Sequence, residues 1–283
     1  MINYAVVYNH TIKELFFPPA CDIAKHIKEY GEDTLLIDNY ELSKLKNNEI
    51  KFKKCVFLDK DIILATRLEA MGIRLYNRAN AISICDDKRL TYEYLYGRIK
   101  IPETICFPLF YKLDEKVLDE FAEYTVYELN LPLIAKEAFG SLGQQVFLLK
   151  TMEEVKDFVK KHYNIPHLYQ KYIKYSHGRD MRIYTVGGKP VAGMIRENTK
   201  DFRSNIAMGG KAIPIDISKE IISICEKVFD ILKLDFAGLD LLFSEDGQPF
   251  LCEVNSSALF KGLNQTCNVD VGGVIAKQVM LCD

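Results

Sequence analysis

The sequence lacks the features of several large classes of protein. It has no run near the roughly 18 apolar residues that a membrane-spanning helix needs. Its 283 residues carry a formal net charge of −2, without the basic excess that is usual in proteins that bind nucleic acid or membrane surfaces. The first residues, MINYAVVYNH, predict a strand and not a secretory signal. We therefore expect a cytoplasmic protein that binds neither nucleic acid nor membranes.

Several short functional motifs are also missing. No GxxxxGK[ST] motif is present, which excludes a P-loop, and the five histidines lack the HExxH spacing of a zinc site. The cysteines never form a CxxC pair and stand singly among apolar neighbours, so we expect reduced core thiols in place of a disulfide framework. These eight cysteines are Cys21, Cys55, Cys85, Cys106, Cys225, Cys252, Cys267 and Cys282.

What remains is the composition of a globular protein, with 48% hydrophobic and 27% charged residues. The segments YAVVY, DTLLID and KCVFLD predict strands, and CDIAKHIKEYG predicts a helix that ends at Gly31. This alternation over the first 85 or so residues predicts a small α/β unit with a parallel sheet. No residue in this unit indicates a ligand, so we interpret it as a scaffold.

The rest of the chain has a different organisation. DDKRLTYEYLYG, residues 86–97, predicts a helix, and IKIPETICFP after it, with two prolines, is interpreted as a linker. From Leu131 the predicted strands are paired, and the two glycines of TVGGKPVAG indicate a tight hairpin. Further helices are predicted near 218–232 and 270–281. The length allows two or three packed units.

Three polar residues interrupt the apolar strands of GLDLLFSEDGQPFLCEVN. Glu253 and Asn255 are two apart and so share a strand face, and the hairpin implied by SEDGQ can bring Asp240 beside Glu253. Two carboxylates 4 Å apart would repel by about 4 kcal/mol at an effective dielectric constant of 20. Three oxygen ligands suit Mg²⁺, which commonly shares its site with substrate phosphates. The alternative interpretation is a solvated sheet face.

Two further segments indicate an anion site. In KEAFGSLGQQV, Gly140 and Gly143 would let backbone N–H groups approach phosphate, although many ordinary hairpins look the same. Lys136, inside an apolar strand, is costly to bury unless it meets an anion. Between residues 170 and 211 there are nine Lys/Arg and three Asp/Glu. This stretch fits a phosphate or carboxylate site gripped by Arg182 and Arg203, or a solvated basic face; an RNA groove is disfavoured because no aromatic ladder is present.

Taken in order along the chain, these segments resemble the ATP-grasp superfamily, and more narrowly its RimK-like, glutamate-ligase-type carboxylate–amine ligases. The resemblance covers about residues 86–283 and is carried by DDKRLTYEYL, LPLIAKEAFGSLGQQV, LYQKYI, GRDMRIYTVGGKPVAGMIR, DFRSNIAMGGKA, GLDLL and FLCEVNSSALFKGL. It implies an α/β chain with a pre-ATP-grasp α/β domain (1–86), a central lid subdomain (87–172) and a C-terminal subdomain (173–283). The last two would form an α+β ATP-grasp fold.

The resemblance also implies residue roles. Lys88 and Lys136 would contact ATP phosphates beneath a mobile lid at 139–143, Lys171 and its neighbours would line the adenine cleft through backbone groups, and Asp180 would bind the ribose region. The residues assigned in this way to the nucleotide are Lys88, Lys136, Gly140, Ser141, Gly143, Gln170, Lys171, Ile173, Asp180, Arg203, Ser204 and Asn205.

The remaining implied roles concern the reaction centre. Arg182 would anchor the substrate carboxylate or the transferring phosphoryl group, and Arg203 and Asn205 would meet the acyl phosphate. Asp240, Glu253 and Asn255 would hold Mg²⁺, with two metal sites expected and Mn²⁺ as a possible substitute. The family's usual hinge Glu is replaced by Lys171. The segment SSALFKG after EVN lacks the Pro-Gly of ribosomal-protein-modifying members, which leaves the acceptor open.

The implied activity is ATP-dependent, ADP-forming ligation of an amino acid, with glutamate the first candidate, to a peptide or small-molecule acceptor through an acyl phosphate. A homo-oligomer is expected from the relatives. No nucleophilic side chain is required, which fits the lack of a convincing Ser–His or Cys–His arrangement. Two alternatives remain: a small-molecule kinase on the same fold, and a non-catalytic ATP-binding regulatory protein.

Overall fold

The computed structural model describes residues 2–140, 143–204 and 211–281. Its strands form three sheets that follow one another along the chain and occupy residues 4–76, 104–171 and 179–255. This order agrees with the mixed α/β class expected from the sequence. The domain boundaries at 86/87 and 172/173 stay predictions. No helix in the described part of the chain is long and apolar enough to cross a membrane.

The first sheet is entirely parallel, in the strand order β2-β1-β3-β4. Its apolar strands are covered by helices because both faces of a parallel sheet must be buried. The elements are β1 (Tyr4–Tyr8), α1 (Lys13–Glu29), β2 (Thr34–Asp38), α2 (Asn39–Lys44), β3 (Lys54–Leu58), α3 (Ile62–Ala70), β4 (Arg74–Tyr76) and α4 (Ala79–Asp86).

Helix α1 differs from the prediction at its start. It begins at Lys13, eight residues before the predicted Cys21, and contains Pro18 and Pro19. Proline inside a helix costs about 3 kcal/mol or more, so sequence propensity places the start after the prolines. Pro19 and Ala20 are buried, and we attribute the longer helix to this packing.

The second sheet is antiparallel, in the order β5-β8-β6-β7, and packs against two helices. Asp87 caps the start of the helix Lys88–Leu95, which comes before this sheet in the chain. Its carboxylate accepts a hydrogen bond from the Arg89 N–H at 2.9 Å. The elements are α5 (Lys88–Leu95), β5 (Thr104–Cys106), α6 (Glu115–Leu129), β6 (Leu133–Glu137), β7 (Val146–Leu149), α7 (Met152–Lys161) and β8 (His167–Lys171).

The third sheet is antiparallel, in the order β11-β10-β9-β12-β13. The predicted glycine hairpin joins β9 and β10, and Gly187 and Gly188 both take positive φ, as a tight two-residue turn requires. The elements are β9 (Arg179–Val186), β10 (Lys189–Glu197), β11 (Lys211–Pro214), α8 (Lys219–Leu232), β12 (Phe236–Leu242), β13 (Phe250–Asn255), α9 (Lys261–Cys267) and α10 (Val271–Leu281).

Each sheet and the helices given with it are called the first, second and third unit, in chain order. The first and third units share one hydrophobic core. Ile23 and Ile27 of α1 belong to the same buried cluster as Ile275 and Val279 of α10. Asn77, fully buried after β4, donates hydrogen bonds to the main-chain oxygens of Phe236 and Ser256 at 2.8 and 2.9 Å. The second unit has its own core between its sheet and α6 and α7. The seven cysteines within the described residues are unpaired, in agreement with the prediction of reduced thiols.

Candidate nucleotide and metal site

One face of the third sheet collects the predicted polar residues. Asp180 and Arg182 are two residues apart on β9 and so share a face of the sheet. Strand pairing places Arg182 opposite Asp240, and Asp240 opposite Glu253. Asn255 is two residues beyond Glu253 on β13, so it shares that face. The predicted hairpin of β12 and β13 is therefore present, with Asp240 beside Glu253.

A buried network of ion pairs occupies the centre of this face. Arg182 binds Asp240 through two nitrogens, with Nη2 donating to Oδ2 at 2.7 Å. Arg196 of β10 binds Asp180 through Nε and Nη2 at 2.8 and 2.5 Å, and its Nη2 also lies 3.1 Å from Asp240 Oδ1. Two arginines thus neutralise two carboxylates in a region closed to solvent.

This network controls the ionisation of Asp240. Burial opposes its ionisation, but the guanidiniums of Arg182 and Arg196 outweigh burial and lower the pKa of Asp240 to about 2. Because the pKa lies below the ordinary value of 3.8, the stabilisation is present at neutral pH and is lost only as the pH falls below about 4 toward 2. Asp240 is therefore a carboxylate at neutral pH and needs no proton removed to act as a ligand.

Glu253 is more accessible than Asp240. Its side chain is 28% exposed, and its Oε1 lies 3.7 Å from Lys88 Nζ. The same lysine donates a hydrogen bond to the main-chain oxygen of Gly140 at 2.5 Å. Lys88, at the start of α5, therefore joins the β13 carboxylate to the glycine loop of the second unit.

A cleft separates β13 from the second sheet. Lys136, buried on β6, donates a hydrogen bond to Gln170 Oε1 at 2.7 Å and lies 3.3 Å from Cys252 Sγ. Gln170 in turn donates to Thr104 Oγ1 at 3.0 Å. The cleft is otherwise lined mainly by apolar side chains, as ligand pockets commonly are, but its cavity of about 30 Å³ would have to widen to admit a nucleobase. The lining residues are Lys88, Thr91, Tyr92, Leu95, Ile101, Thr104, Lys136, Leu168, Gln170, Leu251, Cys252, Glu253 and Val254.

Comparison with known proteins identifies the family. Residues 98–279 match the model of the RimK-like ATP-grasp domain. The chain belongs to the RimK-like ATP-grasp family. The expected RimK-like ATP-grasp membership and the mixed α/β class are thus confirmed. The assignment of the N-terminal residues to a pre-ATP-grasp domain stays a prediction. Ligases of this family use ATP with Mg²⁺.

Two curated relatives carry names that describe glutamate-containing products. The chain is 35% identical to human N-acetylaspartylglutamate synthase A over 225 residues, and 36% identical to human beta-citrylglutamate synthase B over 221 residues. The matches cover 78% and 77% of this chain but only 56% of each relative, so the chain spans about half the length of these relatives. The ATP-grasp ligase PsnB, solved with a minimal precursor, Mg and ADP, has a TM-score of 0.70 at 16% identity, with 98% of this chain and 97% of PsnB covered. That likeness shows the fold.

The second arginine predicted for the RimK-like site lies beside the glycine loop. Arg203 donates to the main-chain oxygen of Gly143 at 2.7 Å and to the Asp201 carboxylate at 2.8 and 3.0 Å. Gly143 has a φ of +75°, which favours glycine there. Ser141 and Asn205, both predicted site residues, lie outside the described residues.

Three predicted nucleotide residues have positions that constrain their roles. Lys171 directs its side chain to Glu103 at 2.9 Å, and its backbone N–H donates to the Glu103 carbonyl at 2.8 Å. Ile173 begins the short 3₁₀ turn after β8, and its carbonyl accepts from the Ser176 N–H at 2.9 Å. Asp180 is buried against Arg196 and also bonds Ser204. To contact a ribose, Asp180 would have to release Arg196 or Ser204.

Sequence reasoning did not assign Arg196, Cys252 or Thr104 to this RimK-like site. Arg196 was counted among the basic residues, but its partners depend on how β10 pairs with β9. Cys252 adjoins Glu253 in sequence, yet it contacts Lys136 only because the two sheets face each other. Thr104 reaches Gln170 for the same reason. Strand alternation alone can place a residue on a face but cannot supply these contacts.

The donor set fits a hard divalent cation. Glu253 and Asn255 present oxygen ligands that are half-buried, and Asp240 contributes an ionised carboxylate. Both oxygens of Asp240 are held by arginines, so it must give up part of that pairing to coordinate an ion.

Replacing Arg196 tests the buried network. Arg196→Met leaves Asp180 without its bidentate partner and Asp240 with one arginine, so we expect the free energy of unfolding to fall by about 3–5 kcal/mol. Urea denaturation followed by circular dichroism would measure it. The control is Arg179→Met, an exposed arginine on the neighbouring strand β9 that packs over the Phe243 ring at 3.9 Å; its effect should stay within about 1 kcal/mol. Equal effects in the two variants would contradict the role given to Arg196.

Proposed function

We propose that the protein is an ATP-dependent, ADP-forming carboxylate–amine ligase. The supporting observation is the arrangement of two opposing walls. One wall presents Lys136 and Gln170 beside an apolar cleft, and the other presents Asp240, Glu253 and Asn255 with Arg182 among them. A nucleotide in the cleft would direct its phosphates toward the carboxylates. Family membership supports the same chemistry.

The proposed reaction has two steps. A substrate carboxylate takes the γ-phosphoryl group of ATP, which forms an acyl phosphate and releases ADP. The neutral amine of an amino acid then attacks the acyl carbon, a C–N bond forms, phosphate leaves as the C–O bond breaks, and the nitrogen loses a proton to solvent or to the departing phosphate. A carboxylate alone is a poor electrophile because oxide is a poor leaving group, and phosphorylation removes that obstacle. No protein nucleophile takes part.

The protein positions the reactants and balances charge. Lys88 and Lys136 would bind phosphate oxygens, and Arg182 and Arg203 would face the transferring phosphoryl group. Asp240, Glu253 and Asn255 would hold Mg²⁺, which neutralises phosphate charge when it is bound. The two-site count and Mn²⁺ substitution are part of this proposal. Closure of the glycine loop near Gly143 would keep water from the acyl phosphate.

Glutamate is the first candidate for the amino acid. Both relatives' names designate products that contain glutamate joined to another acid, and PsnB was solved with a peptide precursor. We therefore propose an amino acid as the amine and a small acid or a peptide as the acceptor. The cytoplasmic location, the homo-oligomer and the three-domain division belong to the same proposal.

The direct test is ADP release with MgATP, screened over single amino acids and over pairs with small acids and peptides. Mass spectrometry of each positive mixture would identify the product. An amide formed with ADP supports the ligase. A phosphorylated product without an amide would instead indicate a kinase, and MgATP binding without ADP from any mixture would indicate a regulatory ATP-binding protein.

Glu253→Ala should remove Mg²⁺-dependent turnover without unfolding the protein. The variant loses an oxygen ligand that is partly exposed, so we expect kcat/KM to fall by at least about 100-fold with little change in Tm. Steady-state ADP release measures the first quantity and thermal denaturation the second. Glu226→Ala, an exposed glutamate on α8, is the control. Full activity in Glu253→Ala would exclude Glu253 as a required ligand.

Lys136→Ala should weaken nucleotide binding. A charge-assisted hydrogen bond contributes about 1.5–3 kcal/mol, so we expect the Kd for ATP to rise by about 10- to 100-fold. Calorimetric titration with ATP measures the change. Lys161→Ala, an exposed lysine of the same unit, should leave the Kd unchanged. An unaltered Kd in Lys136→Ala would remove this lysine from the site.

A further inference from the structure

A chain of hydrogen bonds crosses the second sheet along the wall of the cleft. Thr104 on β5 is paired directly with Gln170 on β8, so the two side chains share a face of the sheet. Lys136 on β6 is paired with Leu168, two residues before Gln170, and therefore lies on that face as well. Thr104, Gln170 and Lys136 all line the cleft. Thr104 is the one of these three to which the nucleotide site has so far given no role.

The chemistry of the donors and acceptors fixes the direction of each bond in this chain. The Pro102 carbonyl can only accept, so the Thr104 hydroxyl donates its single proton to that oxygen, at 2.8 Å. Thr104 Oγ1 is then an acceptor toward Gln170, and the amide group that lies 3.0 Å away must be the NH2. The Gln170 Oε1 atom consequently faces Lys136, whose ammonium donates to it at 2.7 Å.

Gln170 needs this control because its amide is a nearly symmetrical group. The oxygen and the NH2 have almost the same shape, and a half-turn of the amide exchanges an acceptor for two donors. The side chain is 7% exposed, so little water is available to satisfy the reversed orientation. The orientation therefore depends on the two side chains that Gln170 contacts, the Lys136 ammonium at one end and the Thr104 hydroxyl at the other.

Nucleotide binding would remove one of these two restraints. When Lys136 turns to a phosphate oxygen, Gln170 Oε1 loses its donor and Thr104 still holds the amide NH2. A buried acceptor without a donor is costly, so a base that offers an N–H group to this oxygen is favoured. Adenine carries an amino group at C6, whereas guanine and hypoxanthine carry an acceptor oxygen at that position. The fixed amide would therefore distinguish the two kinds of purine.

We propose that Thr104 is a positioning residue for nucleotide selectivity. It holds the Gln170 amide with its oxygen toward the cleft, which favours a purine with an amino group at C6 over one with an oxygen there. The proposal rests on the function proposed above, because it takes the cleft to be the nucleotide site. Thr104 acts through Gln170 and does not itself contact the base.

The test is the variant Thr104→Val, which removes the hydroxyl and nearly keeps the shape of the side chain. Calorimetric titration would give the Kd of MgATP and of MgITP, whose base has oxygen in place of the C6 amino group. We expect the ratio of the ITP Kd to the ATP Kd to fall by about 10-fold, because the amide becomes free to turn. Thr104→Ser keeps the hydroxyl and should hold the ratio within about 2-fold of its original value. A merely structural effect would weaken both nucleotides and leave the ratio unchanged.

The matched control is Thr125→Val in the same unit. Thr125 lies buried on α6, and its hydroxyl has no hydrogen-bond partner among the described residues. The same substitution there removes a buried hydroxyl without touching Gln170, so the ratio should stay unchanged.

A second variant, Gln170→Glu, isolates the orientation of the amide. A carboxylate has two acceptor oxygens and presents the same group whichever way it turns. Thr104→Val added to Gln170→Glu should therefore change the ratio by less than about 2-fold, although the same change has a large effect beside Gln170. An equal effect of Thr104→Val in both backgrounds would overturn the proposal, since the hydroxyl would then act by another route.

The remaining outcomes separate this proposal from the function on which it rests. Equal binding of ATP and ITP by the unmodified protein, an unchanged ratio in Thr104→Val, or an equal fall in Thr125→Val would overturn the role of Thr104 alone. Selective ATP binding that depends on Thr104, without an amide product from any mixture, would overturn the ligase function and support the selectivity. Binding of neither nucleotide would overturn both. If Thr104→Val does not fold, Thr104→Ala replaces it under the same criteria.

Discussion

The contact of Arg196 with both Asp180 and Asp240 is the interaction on which the polar face of the third sheet depends. It crosses three adjacent strands, since Arg196 lies on β10, Asp180 on β9 and Asp240 on β12. Two buried carboxylates without compensation would repel and take up a proton. With Arg182 added, the network keeps Asp240 ionised to about pH 2. The face therefore holds an ionised carboxylate whose two oxygens are already paired with arginines.

The packing explains why the candidate nucleotide cleft lies between the second and third sheets. The first and third units share a core in which α1 meets α10, whereas the second unit buries its own residues around Phe107 and Tyr169. Three polar contacts join the glycine loop and the second sheet to neighbouring elements: Lys88 to Gly140, Arg203 to Gly143 and Lys136 to Cys252. Polar contacts of this kind exchange readily with ligand groups, and units that meet in this way are expected to move relative to each other. A cleft that must admit a nucleotide and then close is consistent with this division.

The sequence was sufficient for those parts of the fold and site that depend on local spacing. Strand alternation placed Glu253 and Asn255 on one face, and the glycine pair at 187–188 marked its hairpin. It was insufficient wherever a partner comes from a distant strand. Arg196 looks like any basic residue until β10 pairs with β9. The start of α1 was misplaced because burial of Pro19 outweighs local propensity.

Lys136 and Arg182 are both bonded to other side chains of the site, and the two must break bonds of different kinds before they can bind a ligand. Lys136 is held by the neutral partners Gln170 and Cys252, and a phosphate oxygen is a stronger acceptor than either because the bond is then charge-assisted on both sides. Arg182, in contrast, neutralises Asp240 in a buried pair. If Arg182 turns toward a phosphoryl group, Asp240 keeps only its 3.1 Å contact with Arg196, which also binds Asp180. A buried carboxylate with weakened pairing favours the binding of another cation. Engagement of the phosphates by Lys136 can therefore occur independently, whereas engagement of the reacting group by Arg182 should be coupled to occupancy of the metal site at Asp240.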